Sequence, residues 1–237
     1  MFRVEVESKY ENPNRTIYRA LHQDYSSDFV MDLETPVFES KCGEIIVKNL
    51  LKGNRGHYGC IEHVGITFAC GYFPHSVIQQ ARTHRINVSF DVQSFRYTSK
   101  GVLDVANGIK PIDHVFYFRE PGFYTDRKGK KYIYSENQIK SDKQVCLEAA
   151  QRYATAIQNG LSEEHARDLL PFNYRQHFMV SFNLRSVLHF MDLRAKKDAQ
   201  LEIQILCNMM WPHIKEWVPE IAEWYEQNRL GKARLAP

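Results

Sequence analysis

Three features of the 237-residue sequence predict an α+β fold. Short β-branched and aromatic stretches dominate before about residue 139, helix-spaced apolar residues dominate after it, and glycine or proline falls at many of the junctions. Residues 1–22 read as strand-forming, because FRVEV and TIYRA alternate apolar and polar side chains. Residues 39–52 set Ile45, Ile46, Leu50 and Leu51 at helical spacing, with Gly53 as the stop. The stretch 61–73, IEHVGITFACGYF, has the composition of a buried strand. Pro74 then opens a short helix, HSVIQQARTHR, since proline is tolerated in a first turn. Residues 88–98, VSFDVQSFRYT, are strand-like but carry polar groups suited to an ordered active-site segment. Residues 115–135 read as two strands around a polar loop, with the basic run 127–131 at a solvated tip.

The later part is helical. LEAAQRYATAIQNG combines good helix formers with a glycine stop, and Ser162 before two glutamates is a helix N-cap closed off by Pro171. HFMVSF is a strand, NLRSVLHFMDLR a helix, and residues 199–218 a longer apolar helix containing Trp211 and Trp217, which read as core or subunit contact, as does Trp224. Residues 219–232 are amphipathic and are expected to pack on the outside. With no repeat, low-complexity tract or linker, residues 1–237 are taken as a single domain.

Composition narrows the function classes. Hydrophobic residues make up 43% and charged residues 25%, a globular mixture. A formal net charge of +3 is too mild for a nucleic-acid binder, so an anionic ligand must be met by locally gathered arginines. The five scattered cysteines include no CxxC pair, which points to reduced, buried thiols in a cytoplasmic protein and to no metal site. The N-terminus lacks the apolar centre of a signal peptide, and no run of about 18 apolar residues suggests a membrane span.

The densest polar constellation runs from Gln79 through Arg82, Thr83, His84 and Arg85 to Ser89, Gln93, Ser94, Arg96 and Tyr97. Guanidinium forks, hydroxyls and backbone N–H groups are what a phosphate requires, and apolar sequence brackets this cluster. A second cluster holds Asn183, Arg185, His189 and Arg194. Arg185 and His189 share a helix face, whereas Arg194 lies roughly half a turn out of phase with Arg185. The two arginines are therefore not expected to serve one pocket within one chain; either one is structural or the helix lies between two sites of an oligomer.

Taken together, these motifs resemble those of the flavin-dependent thymidylate synthases. That family's Arg-His-Arg group, followed by seven or eight residues, a serine and then Arg-Tyr, corresponds to Arg82-Thr83-His84-Arg85, Ser94 and Arg96-Tyr97. His57 and Glu62-His63 match an upstream segment, and Glu164, Ala166-Arg167, Leu170-Pro171, Asn183-x-Arg185-Ser186 and Leu193-Arg194-Ala195 follow in the family's order. Three departures stand out: Thr83 splits the Arg-His-Arg group, His189 replaces an asparagine common in relatives, and Asp198 replaces a histidine.

The resemblance implies a central, mainly antiparallel sheet with flanking helices and a homotetramer with sites at subunit interfaces. It implies FAD as cofactor, with NADPH and methylenetetrahydrofolate as co-substrates and dUMP as the methyl acceptor. Carried over by motif, Arg82, Thr83, His84, Arg85, Asn183, Arg185 and His189, with Glu62 and His57, would hold the flavin. Gln79, Arg82, Gln93, Ser94, Phe95, Arg96 and Arg167 would hold dUMP, and Arg194 would be the catalytic residue, lying at the pyrimidine and stabilising charge there. The cysteines lie outside both clusters, in keeping with a family that uses no cysteine nucleophile. The competing possibilities are a single-strand clasp built from Arg82, Arg85 and Arg96 with Phe90, Phe95 and Tyr97, and a non-catalytic nucleotide-binding relative.

Overall fold

The structure, a computed structural model, describes residues 1–52 and 57–232. Its strands are β1 (Arg3–Lys9), β2 (Gly65–Pro74), β3 (Val88–Val92), β4 (Gly122–Thr125), β5 (Lys131–Tyr134) and β6 (Arg175–Asn183). Its α-helices are α1 (Pro13–Gln23), α2 (Glu39–Ile46), α3 (His75–Ala81), α4 (Phe95–Thr98), α5 (Lys100–Ala106), α6 (Glu136–Gln158), α7 (Glu163–Ala166), α8 (Leu184–Arg194), α9 (Leu201–Trp217) and α10 (Pro219–Asn228).

Four strands form a sheet in the order β1-β2-β6-β3, and β4 pairs with β5 as a separate hairpin. The four-stranded sheet is antiparallel. Along β2 and β6, Thr67 Oγ1 meets Ser181 Oγ at 2.9 Å while the Tyr72 N–H meets His177 Nδ1 at 3.3 Å, so the numbering runs in opposite senses. Between β3 and β6, the Asn183 N–H reaches the Asn87 carbonyl and the Gln93 N–H reaches the His177 carbonyl. Tyr72, with a φ of 67°, interrupts the extended course of β2 just before Pro74; its carbonyl accepts from Arg175 Nη1 at 2.9 Å.

The chain divides into two compact units. One comprises Met1–Phe2, Gly71–Arg82 and Asp91–Phe178, with a core of Phe95, Val102, Val105, Phe116, Cys146, Ala150, Tyr153, Ala166 and Leu170. The other comprises Arg3–Cys70, Thr83–Phe90 and Met179–Pro237; its core draws Ile17 and Leu21 from α1, Ile46 from α2, Leu188 and Met191 from α8, Ile203, Leu206, Met210 and Ile214 from α9, and Ile221 and Tyr225 from α10.

Several elements differ from the sequence expectation. TIYRA is helical: Pro13 presets the first turn of α1, and Ile17 and Leu21, four residues apart, bury against α2, so the apparent alternation was one helical face sampled over a short window. The helix over 39–52 is α only to Ile46; Val47–Leu51 continue as a wider π turn, and Gly53 lies outside the described residues. Residues 61 and 62 belong to a 3-10 turn, Tyr58–Glu62, rather than to the strand, and α3 stops at Ala81, leaving Arg82–Arg85 outside the helix. Phe95–Thr98 form a helical turn, because Phe95 packs into the core of its unit, and α5 follows, a helix the sequence reading did not mark. A Cβ on Gly101 would meet Val115 Cγ2 at 3.3 Å, a tight contact that the valine side chain would have to yield to by a few tenths of an ångström. The strand after residue 115 begins only at Gly122; before it, Phe116 makes a single bridge to Tyr174. Finally, α10 is no outer appendage: Ile221, Ala222 and Tyr225 are fully buried, and the Tyr225 hydroxyl bonds to the buried carboxylate of Asp192 on α8.

Candidate active site

The turn after α3 carries the second half of the basic cluster, and α8 carries the rest. Asn183 caps α8 by accepting from the Ser186 N–H at 2.8 Å, and the Ser186 hydroxyl donates to the Ile86 carbonyl at 2.7 Å. The Ser186–Ile86 bond, with the Asn183 N–H donating to the Asn87 carbonyl, ties the 83–88 segment to the first turn of the helix, and Asn87 makes the bend with a left-handed φ of 51°. Between segment and helix opens a cavity of about 730 Å³, lined by Glu62, Thr83, His84, Arg85, Arg185, His189, Leu193 and Arg194 among others.

Its cations are individually held. Arg185 Nη1 donates to Glu62 Oε1 at 2.6 Å, and Asn87 Nδ2 donates to the other Glu62 oxygen at 3.3 Å, so Glu62 orients Arg185. Arg194 Nε donates to His84 Nε2 at 3.0 Å and its Nη2 to Thr83 Oγ1 at 2.9 Å. His84 therefore acts as an acceptor at Nε2 and is a neutral imidazole with its proton on Nδ1. It is buried, with Phe190 and His189 at ring distances of 4.9 and 5.4 Å. Burial, then the positive charge of Arg194 and the neighbouring His189, lower its pKa to about 4.

Arg185 and Arg194 both line this one cavity, which overturns the expectation that they could not share a pocket within a chain. The phase argument treats side chains as short spokes. Arg194 is the last residue of α8, and its long side chain extends to Thr83 and His84, which form the opposite wall. The remaining flavin candidates sit differently. Asn183 spends its side-chain oxygen on the helix cap, and His57 is exposed, with its carbonyl 3.8 Å from Cys60 Sγ; neither lines the cavity. Arg82 is exposed and belongs with the other unit.

The nucleotide candidates other than Arg194 fall in that other unit. Ser94 stands at the N-terminus of α4 without a side-chain cap bond, so its hydroxyl is not consumed by the helix. Arg96 pairs with Glu164 at 3.1 Å on the surface, and Arg167 is exposed in the turn after α7. The Phe95 ring is buried against Tyr153 and Tyr174, at 5.5 and 5.4 Å, so a ligand could reach its backbone but not its ring. Gln93 Oε1 accepts from the His177 N–H at 3.1 Å, and Gln79 Nε2 lies 2.6 Å from His75 Nε2.

His75 and Gln176 were not among the residues that the sequence marked for the site. The available signal was the i,i+4 spacing of His75 and Gln79 on α3. Gln176 gave none, since its contacts to His75 and Gln93 span 101 and 83 residues.

The cavity suits a flavin nucleotide. Guanidinium groups at Arg85 and Arg185 offer donor forks to a pyrophosphate or to ring carbonyls, and the volume falls in the range of cofactor pockets. Among the described residues no cluster of histidine, cysteine and carboxylate side chains could hold a metal ion.

A profile of the family described as thymidylate synthase complementing protein matches residues 5–220. The flavin-dependent thymidylate synthase of Haloarcula marismortui is 31% identical over 253 residues, covering 99% of this chain and 99% of that protein. The enzyme of the same name from Halobacterium salinarum is 30% identical over 256 residues, covering 99% of this chain and all of that protein. The fold is similar to that of a UMP/dUMP methylase, PolB from Streptomyces cacaoi, with a TM-score of 0.75, 18% identity and coverage of 100% of this chain and 98% of that one. With most of its length matched by the profile and near-complete alignment to such relatives, the chain belongs to the thymidylate synthase complementing protein family, the flavin-dependent thymidylate synthases.

Proposed function

We propose that this protein is a flavin-dependent methyltransferase that converts dUMP to dTMP, working as a homotetramer in the cytoplasm. FAD reduced by NADPH would supply the hydride, and methylenetetrahydrofolate the one-carbon unit. The family relationship supports the reaction class, and the cation-lined cavity beside α8 supports the assignment of the flavin to Thr83, His84, Arg85, Arg185 and His189. Glu62 acts through Arg185 and Asn183 through the helix start, while His57 and Arg82, which do not line the cavity, are assigned to the flavin on the family motif alone. Gln79, Arg82, Gln93, Ser94, Phe95, Arg96 and Arg167 are assigned to dUMP, with Ser94 and Arg96 as phosphate partners. Free, buried thiols at all five cysteines support a reducing compartment, and no described helix is long and apolar enough to cross a membrane.

The observation that carries the catalytic assignment is the Arg194 guanidinium, held by Thr83 Oγ1 and a neutral His84 at the wall of the cavity. Uracil is a poor hydride acceptor at C6 and a poor nucleophile at C5. A cation fixed in advance beside the ring carbonyls stabilises the charge that either step develops, with no reorganisation at the moment of reaction. His84 serves this by being uncharged: an imidazolium there would repel Arg194, whereas the neutral ring accepts its N–H and sets its direction. Arginine suits the role because it keeps its proton when partly buried.

The test is tritium release from 5-labelled dUMP with each of FAD, NADPH and methylenetetrahydrofolate omitted in turn. Release should require all three, and purified protein should be yellow and bleach on adding NADPH. A colourless preparation that leaves the label in place overturns the proposal.

A further inference from the structure

Gln79 is exposed and would be easy to take for a mobile surface amide, yet a chain of hydrogen bonds reaches it from inside its unit. Gln176, only 4% exposed, lies between the Gln93 backbone and His75. Gln176 Nε2 is 3.0 Å from the Gln93 carbonyl, Gln176 Oε1 is 2.6 Å from His75 Nδ1, and His75 Nε2 is 2.6 Å from Gln79 Nε2.

The direction of every bond follows from the first. A backbone carbonyl can only accept, so Gln176 must turn its NH2 to Gln93 and its oxygen to His75. An oxygen there requires His75 to carry its proton on Nδ1. In the neutral ring Nε2 is then an acceptor, so Gln79 must present its NH2 to it. The Gln79 oxygen is left pointing away from the chain, with no hydrogen-bond partner among the described residues. Neutrality of His75 has its own support. Burial lowers its pKa, as do the nearby charges of Arg82 and Arg167, against an opposing hydrogen bond from Gln176. Tyr174 stacks on the ring at 4.8 Å, Phe172 meets it edge-on at 5.3 Å, and no carboxylate lies among these neighbours.

We propose that His75 is a positioning residue for the nucleotide: through this one-way chain it holds the Gln79 amide with its oxygen outward, as an acceptor for an N–H or O–H donor of dUMP. The proposal rests on the placement of dUMP at Gln79 given above. It assigns a selectivity as well as a contact. A surface glutamine free to flip offers either a donor or an acceptor, whereas this one offers an acceptor only and rejects a ligand that presents an acceptor there. On dUMP the matching donors are the imide N3–H and the 3′-hydroxyl.

The flavin-loaded protein and its Gln79→Ala and His75→Phe variants should be compared by calorimetric titration with dUMP, N3-methyl-dUMP and the 2′,3′-dideoxy analogue. Both variants should bind dUMP about threefold to tenfold more weakly, the loss of one net hydrogen bond, and both penalties should vanish with whichever analogue lacks the donor. If Gln79→Ala binds dUMP normally, the placement of the nucleotide at Gln79 fails. If Gln79→Ala is impaired but His75→Phe is not, or if the His75→Phe penalty persists with both analogues, the positioning role fails. Should His75→Phe not fold, nitrogen-15 NMR of the wild-type histidines decides: a His75 ring protonated on Nδ1 is expected, and protonation on Nε2 overturns the chain.

Discussion

Arg194 and His84 form a pair in which the charge of Arg194, added to burial, keeps His84 neutral and able to accept the arginine's N–H. Arg194→Ala should leave the fold and the bound flavin intact while lowering dTMP formation by about 100-fold to 1,000-fold, the usual cost of one preorganised charge-stabilising donor. Turnover by single-wavelength dTMP assay alongside the flavin spectrum checks this, and near-normal turnover would remove Arg194 from the chemistry. His84 adds a pH dependence whose sign can be worked out. Its folded pKa is about 4, below the roughly 6.5 of an exposed histidine, so the unfolded chain takes up the proton first. The stability gained from keeping His84 neutral is present above about pH 6.5 and fades as the pH falls towards 4. Its size, roughly 3 kcal/mol, follows from the shift. In urea unfolding, His84→Phe should lose less stability than wild type over this window; parallel losses would show that His84 does not contribute. At this scale the sequence was informative about identity: Arg85, Arg185, His84 and Arg194 were all marked by motif, whereas His75 and Gln176 were not, because their roles depend on partners about 100 residues away.

At the scale of elements, α8 organises the cation-lined cavity. It begins at a capped asparagine, pins the 83–88 segment through Ser186, and ends at the arginine that closes the cavity. Its buried side is braced by Asp192, which receives the Tyr225 hydroxyl and Arg229 Nη2 at 2.9 Å from the C-terminal helical region. Asn183→Ala should lower the unfolding free energy by about 1 kcal/mol and weaken flavin retention, because the cap and the segment that lines the cavity share one helical turn. Asn183→Ser should restore both. Flavin fluorescence during urea titration reports the two effects together, and unchanged retention in the alanine variant would uncouple cap from cavity. Most strands and helices were legible from local pattern, including β2, β6, α6, α8 and α9. Among those misread, α1 and α4 are segments in which burial against distant residues outweighed local preference: Ile17 and Leu21 against α2, and Phe95 against Tyr153.

At the scale of the whole molecule, the exposed residues Phe29, Met31, Val37 and Phe38, between 58% and 77% accessible, lie close together in the sequence and leave apolar surface that solvent does not favour. They support the proposed assembly. Sedimentation equilibrium should return a mass near four times the 27.8 kDa of one chain, and a species at 27.8 kDa across the measured concentrations would rule the tetramer out.

The sequence by itself determined the α+β class, the reaction family and most residues of the cationic set, because motif spacing and arginine chemistry are properties of the chain. Only the tertiary structure decided that Arg185 and Arg194 share one cavity, that His84 is neutral, and that His75 sets the orientation of Gln79. Each of these depends on which atoms stand within about 3 Å of one another, and such distances between remote segments are created by packing rather than by sequence period.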